Sequence, residues 1–204
     1  MTKHADEEQR RHQVGEALMD VVAERGLAKT TLRQVAEAAN VSVGLVQRYF
    51  ATKEDLLLFG FDHVYRRTAE RVAAVPVELP VRNVLTGIAE SVLPLTAERQ
   101  RECRVWLAFV QASINDPDLA SAHHRSSSEL LDGLRQAIAG AQHTGEIAEF
   151  LDSGREAQSL MAFLDGITLN GIATATTYDP LTQRALLQDH LNRLFAVGRQ
   201  EKTL

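Results

Sequence analysis

Apolar residues recur at helical spacing along most of the chain, and the pattern predicts an all-α protein. Residues 1–5 are polar and predict no element. Residues 6–25 predict a helix with Val14, Leu18, Val21 and Val22 inward, stopped at Gly26, a residue suited to the left-handed position after a helix. The most informative stretch is residues 30–58, TTLRQVAEAANVSVGLVQRYFATKEDLLL, which predicts two short helices and the start of a longer third. Thr31 is placed to cap the first, with Gln34 completing a capping box, and Leu32, Val35, Ala36 and Ala39 form its apolar stripe. Asn40 falls where a left-handed residue ends that helix. Ser42 caps the second, and Val41 is placed to staple onto Val46. That second helix, residues 43–50, divides cleanly: Val46 and Phe50 face inward, while Val43, Gly44, Gln47 and Arg48 form the opposite stripe. Thr52 caps the third helix, with Asp55 three residues on.

The third helix extends over residues 53–75 and carries Leu56, Leu57, Phe59, Phe61, Val64 and Tyr65, more apolar residues than one face needs. A loop at 76–80 follows. Further helices are expected over 81–93, 98–114 (with Cys103, Trp106, Leu107, Phe109 and Val110), 116–141, 153–176 and 181–197, with breaks at Gly145 and at Tyr178-Asp179-Pro180. Residues 160–172 are apolar on more than one side, which calls for partners on several faces, and Gly166 and Gly171 allow close helix approach. The last helix aligns Leu187, Leu191 and Leu194, with Phe195 beside them.

The outward stripe of residues 43–50 suits the major groove of DNA. Gln pairs bidentately with adenine, Arg with guanine, and Val touches a thymine methyl, while Gly44 removes a side chain where backbones must come close. The alternative is a helical hairpin with a solvated outer face. Caps at all three helix starts and so short a second helix favour a helix-turn-helix whose second helix reads bases.

This stretch resembles the DNA-binding domain of the tetracycline-repressor (TetR) family. Thr31, Val35, Ala36, Ala39, Val41, Ser42, Gly44, Tyr49, Phe50, Lys53 and Leu56 fall on the family's signature positions, with Asn40 in place of the usual Gly and Gln47 in place of a frequent Tyr. The resemblance implies that Thr30, Thr31, Ser42, Tyr49 and Lys53 hold the DNA backbone while Val43, Gly44, Gln47 and Arg48 meet base edges. Arg33 is open between phosphate and solvent, as are Arg10 and Arg11. The C-terminal part resembles, more loosely, the ligand-binding domain of the family's choline-repressor branch, through Trp106-x-x-Phe109, Asp116-Pro117, Gly145-x-Ile147 and Leu164-Asp165-Gly166 followed by Leu169. That implies a homodimer in which the last two helices of each subunit form a four-helix interface, for which Leu164, Ile172, Leu187, Leu191, Leu194 and Phe195 are the candidates.

Charge agrees once divided: the net −5 splits into +1 over residues 1–53 and −6 over the rest. The sign suits an N-terminal DNA-binding end, and an acidic remainder limits non-specific binding. The single Cys103 excludes an intramolecular disulfide and fits a reducing cytoplasm. The polar start has no apolar core of a secretory signal, and no apolar run approaches membrane-spanning length, so a cytoplasmic protein is expected.

Catalysis finds no support. His123 and His124 are adjacent on a helix, point about 100° apart and share one ion poorly, so both read as solvated surface. Ser126, His143 and Asp165 come without a nucleophile elbow, no Gly-rich phosphate loop is present, and no cofactor or metal is expected. Aromatic residues from different helices, Phe61, Tyr65, Trp106, Phe109 and Phe163, are either plain core or the lining of a ligand pocket. Asn170 is open between an internal hydrogen bond and a ligand contact, and Asp165 reads as internally bonded or at an exposed edge of the dimer interface.

The expectation is therefore a two-domain chain. Residues 1–52 form a three-helix DNA-binding bundle with the helix-turn-helix, and 53–204 a helical ligand-binding and dimerisation domain. It would act as a regulator, a repressor that leaves a palindromic double-stranded operator when a small-molecule effector binds. The rivals are a ligand-independent or activating DNA binder, and an enzyme or scaffold using the helical body.

Overall fold

The computed structural model describes residues 2–196, with side chains from Glu7 onward. Nine α-helices and no strand are found among the described residues: α1 Thr2–Arg25, α2 Leu32–Ala38, α3 Val43–Tyr49, α4 Lys53–Ala73, α5 Val81–Val92, α6 Ala97–Ser113, α7 Pro117–His143, α8 Ser153–Ala173 and α9 Pro180–Ala196. α1 begins earlier than expected, since residues 2–5 are already helical. That stretch has no apolar periodicity to read, but it also has no Gly or Pro to stop a helix. A 3-10 turn, Leu27–Lys29, follows Gly26 and was not anticipated. Val197, expected to end the last helix, lies outside the described residues.

The helix ends are set by the residues the sequence singled out. Gly26 has φ 78° and donates to Val22 O at 2.8 Å. Thr31 and Gln34 form a reciprocal capping box at the start of α2. Its end is a Schellman motif: Asn40 has φ 53°, its N–H reaches Glu37 O, and the Val41 N–H reaches Ala36 O at 2.9 Å. Ser42 Oγ accepts from Leu45 N, and Thr52 and Asp55 cap the start of α4 reciprocally, each bond at 3.0 Å. Asp152 accepts from Gly154 N and Arg155 N to start α8.

The chain packs as two compact units. One runs up to Arg66 and includes Arg101–His124; the other comprises Arg67–Gln100 and the chain from Arg125 onward. α4, α6 and α7 contribute residues to both. In the first unit the core gathers Val14, Leu18, Met19, Val35, Val46, Phe50, Leu56, Phe61, Val105 and Phe109, among others. α1 and α4 approach closely because a Cβ at Gly60 would stand 2.3 Å from Leu18 Cδ2.

In the second unit α5, α8 and α9 enclose Leu85, Leu93, Leu134, Ile138, Leu160, Leu164, Leu187 and Leu191. Glu146, in the turn after α7, accepts from the N–H groups of Val81 and Arg82 and so caps α5. Arg82 reaches Gln188 Oε1 at 3.0 Å and Asn192 Oδ1 at 2.6 Å on α9. Gly171 brings α8 against α9, since a Cβ there would meet Gln183 Nε2 at 2.6 Å. Gly166, by contrast, has nothing within 4 Å of that position.

The expected interface leucines prove to be interior. Leu164, Leu187, Leu191, Leu194 and Phe195 are buried within the protomer, with Leu191 at 0% exposure, and Ile172 is half-buried. Side chains already removed from water by their own chain have little area left for a partner. The exposed face of α8 is instead Ala162, Asp165, Leu169 and Ala173, with Gly166 half-exposed among them.

Candidate nucleic-acid interface and aromatic site

α3 is held by its inner side. Val46 and Phe50 are buried, Tyr49 and Val43 are half-buried against the same core, and Val41 packs there too. α1 braces the preceding helix, with Gln13 Nε2 donating to the Ala39 carbonyl at 2.6 Å at the end of α2. Arg11 lies over the Phe50 and Phe59 rings, 5.7 and 5.3 Å from their centroids, so its stem packs on the bundle.

The outer side is left bare. Gly44, Gln47 and Arg48 are exposed, the side chains of Gln47 and Arg48 make no hydrogen bond or ion pair among the described residues, and a Cβ on Gly44 would meet nothing within 4 Å. The missing side chain at Gly44 therefore serves nothing inside the protomer. Ser42 and Thr31 are exposed at the N-termini of α3 and α2, Lys53 is half-exposed at the first position of α4, and Arg33 pairs with Glu37 at 2.9 Å on the solvated side of α2. One expected contact is corrected. Thr30 is 1% exposed and its hydroxyl donates to Gly26 O at 2.9 Å, so its side chain closes the turn before α2 and is not offered to a phosphate.

Four of the expected ligand-site residues come together in the first unit. Phe61 sits 4.5 Å from Tyr65 and 5.5 Å, edge to face, from Phe109. Trp106 Nε1 donates to the Tyr65 hydroxyl at 3.0 Å, and that oxygen is 2.6 Å from His123 Nδ1. Against the expectation of solvated surface for both histidines, His123 is half-buried, while His124 is exposed. Burial, and then the neighbouring His124, hold the His123 pKa below its ordinary value, so the ring is uncharged at neutral pH. No short-range signal marks it, because its partner is 58 residues away. Phe163 and Asn170 belong to the other unit. Phe163 stacks on His190 at 4.2 Å, and Asn170 Nδ2 donates to Gly166 O of its own helix at 2.8 Å.

A family model for the bacterial regulatory proteins of the tetR family matches residues 16–58, and one for the C-terminal part of BetI-type transcriptional repressors matches residues 81–196. The chain belongs to the TetR family, in its BetI-type branch. It is 32% identical over 202 residues to the transcriptional regulator BetI of Burkholderia cenocepacia (strain HI2424), covering 96% of this chain and 99% of that one. It is 29% identical over 203 residues to the regulator PksA of Bacillus subtilis (strain 168), covering 98% and 97%. Its fold matches a transcriptional regulator of Saccharomonospora viridis solved in complex with choline, with a TM-score of 0.84 at 20% identity over 91% of this chain and 96% of that one.

As a TetR-family member the protein is a transcriptional regulator with a DNA-binding N-terminal and a ligand-binding C-terminal domain. The family is one of regulators, generally not enzymes. No helix among the described residues is long and apolar enough to cross a membrane.

Proposed function

We propose that this regulator is a cytoplasmic homodimeric repressor in which residues 1–52 read a palindromic operator and residues 53–204 recognise a small effector and pair the subunits. The bare outer face of α3 carries this reading. Gln47 and Arg48 are fixed at their backbone by a capped helix and a buried inner side, yet their side chains have no partner among the described residues, which suits the donor and acceptor pattern of base edges. Ser42, Thr31 and Lys53 flank them, where helix N-termini favour phosphate, and Tyr49 supports them from the half-buried side. Members of the family are typically dimers. Two copies meeting through the exposed face of α8 (Ala162, Asp165, Gly166, Leu169 and Ala173) and the start of α9 at Leu181 would present two reading helices about one DNA turn apart, roughly 34–36 Å.

The effector site of this reading is the group Phe61, Tyr65, Trp106, Phe109 and His123. Tyr65 on α4 is tied to α6 through Trp106 and to α7 through His123. A ligand that displaces these bonds shifts α4, whose first residue lies only a few positions after α3. Choline, held by the Saccharomonospora viridis regulator, is the first compound to test, since aromatic faces attract a quaternary ammonium and an uncharged His123 does not repel one. The test follows release from operator DNA and the emission of the single Trp106 in one titration. Release accompanied by a change in Trp106 emission supports the site; release with emission and quencher accessibility untouched places the effector elsewhere.

A further inference from the structure

His12 and Glu16 stand four residues apart on α1, so they rise from one face of the helix, and His63 of α4 meets them there. One ligating atom from each lies within 4.8 Å of the other two. His63 is 1% exposed, Glu16 is half-buried and His12 is exposed, so the group reaches from the packed interior to an opening at His12. Gly15 permits this approach, since a Cβ there would stand 2.9 Å from Phe59 Cε1 and 3.7 Å from His63 Nδ1. The reading of DNA and effector uses none of these three side chains.

We propose that His12, Glu16 and His63 form a site for a divalent transition-metal ion of the zinc class. Two imidazoles and a carboxylate are the protein donors of a four-coordinate zinc site that keeps one position for water, and two nitrogen donors disfavour Mg²⁺ and Ca²⁺. His63 Nε2 lies 2.8 Å from Glu16 Oε1, and Arg66 Nη2 lies 3.2 Å from His63 Nδ1. A guanidinium only donates, so Nδ1 is the acceptor and the ring proton sits on Nε2, directed at Glu16.

Metal entry replaces that shared proton. Nε2 and the carboxylate spread to the roughly 3.3 Å separation of two tetrahedral zinc ligands, and the ring carries its proton on Nδ1. Nδ1 then no longer accepts from Arg66, which is already exposed and turns to solvent. Arg101 donates to the other carboxylate oxygen, Glu16 Oε2, at 2.9 Å and also reaches Asp20, so it holds the carboxylate in place. Its positive charge makes the site weaker than a dedicated zinc centre. An ion bound here ties α1 to α4, the two helices that bracket the reading pair α2 and α3, and so links metal occupancy to DNA affinity.

The test titrates tag-free protein with Zn²⁺ against a chromophoric chelator, with Co²⁺ as a spectroscopic probe of nitrogen and oxygen ligation. The expected result is one ion per chain. His12→Ala, a change at an exposed side chain that leaves the thermal melt of the metal-free protein unchanged, weakens binding at least about tenfold. Arg66→Ala tightens it a few-fold by removing a competing donor and a cation, and His124→Ala leaves it unchanged. No stoichiometric uptake, equal affinity of wild type and His12→Ala, or weaker binding by Arg66→Ala would each overturn the site. None of these outcomes bears on choline binding or on α3, so this site and the regulatory reading stand or fall separately.

Discussion

α3 and α8 each leave one face bare, and the two faces differ in kind. On α3 the bare residues are Gly44, Gln47 and Arg48, polar or absent side chains on a helix of 7 residues whose inner side is buried. On α8, a helix of 21 residues, the bare residues are polar in the first turns (Arg155, Gln158 and Ser159) and then mostly small or apolar (Ala162, Asp165, Leu169 and Ala173), while Leu160 and Leu164 are buried within the protomer. A polar face suits the hydrogen-bonding edges of base pairs, whereas small residues let another helix backbone come close. In the proposed reading the buried residues of either helix carry stability and the bare ones recognition.

The largest effect expected from that contrast is at Leu191. Leu191→Asp places an unpaired charge in the closed core and should cost more than about 4 kcal/mol, leaving the chain largely unfolded by circular dichroism. Leu169→Asp, on the bare face of α8, should leave the protomer folded but shift it from dimer to monomer in light scattering. A folded Leu191→Asp protein, or a Leu169→Asp protein that stays dimeric, breaks the division between core and interface drawn here.

On α3, Arg48→Ala should cost roughly 1–3 kcal/mol at its own base pair and relax preference there alone. Lys53→Ala should weaken operator and random duplexes alike and lower the salt slope by about one per subunit. A uniform loss across sequences for Arg48→Ala would make it a phosphate contact and leave base reading to Gln47 and Val43.

A smaller effect is expected at Asp165. It keeps a water-exposed edge, yet the surrounding helices displace enough water to push its carboxyl up to about 6. The raised value means that protonation favours the folded state. This contribution is present below about pH 4 and lost as pH rises through about 6. Asp165→Asn, which mimics the protonated acid, should therefore melt higher than wild type at pH 7 and equally at pH 4. Partial exposure keeps the gain below about 1 kcal/mol, and an equal melting temperature at pH 7 would remove the desolvation argument.

The same contrast explains what the sequence made legible. α3 divides into inner and outer stripes, so Gly44, Gln47 and Arg48 are legible as its bare residues, whereas Val43, expected beside them, is half-buried against the core; the caps at Thr31, Ser42 and Thr52 and the left-handed Asn40 follow from local chemistry alone. Residues 160–172 of α8 are apolar on more than one side, so periodicity does not separate Leu164, buried in the second unit's core, from Leu169, which is exposed. His123 was missed for a related reason. Its tie to Tyr65 crosses from α7 to α4, and nothing within a few residues of either records that meeting. The family resemblance implies a DNA contact for Thr30, whereas the unforeseen 3-10 turn directs its hydroxyl back to Gly26.

Gly44→Ala gives the most direct measurement of whether α3 reads DNA. A Cβ there meets nothing in the protomer, and Ala in place of Gly within a helix is worth about 0.5–1 kcal/mol. Melting temperature and operator affinity, measured on one preparation, should move in opposite directions: a more stable protein that binds its operator more weakly. A Gly44→Ala protein that is more stable and binds the operator as tightly as wild type would contradict the placement of this face against the DNA.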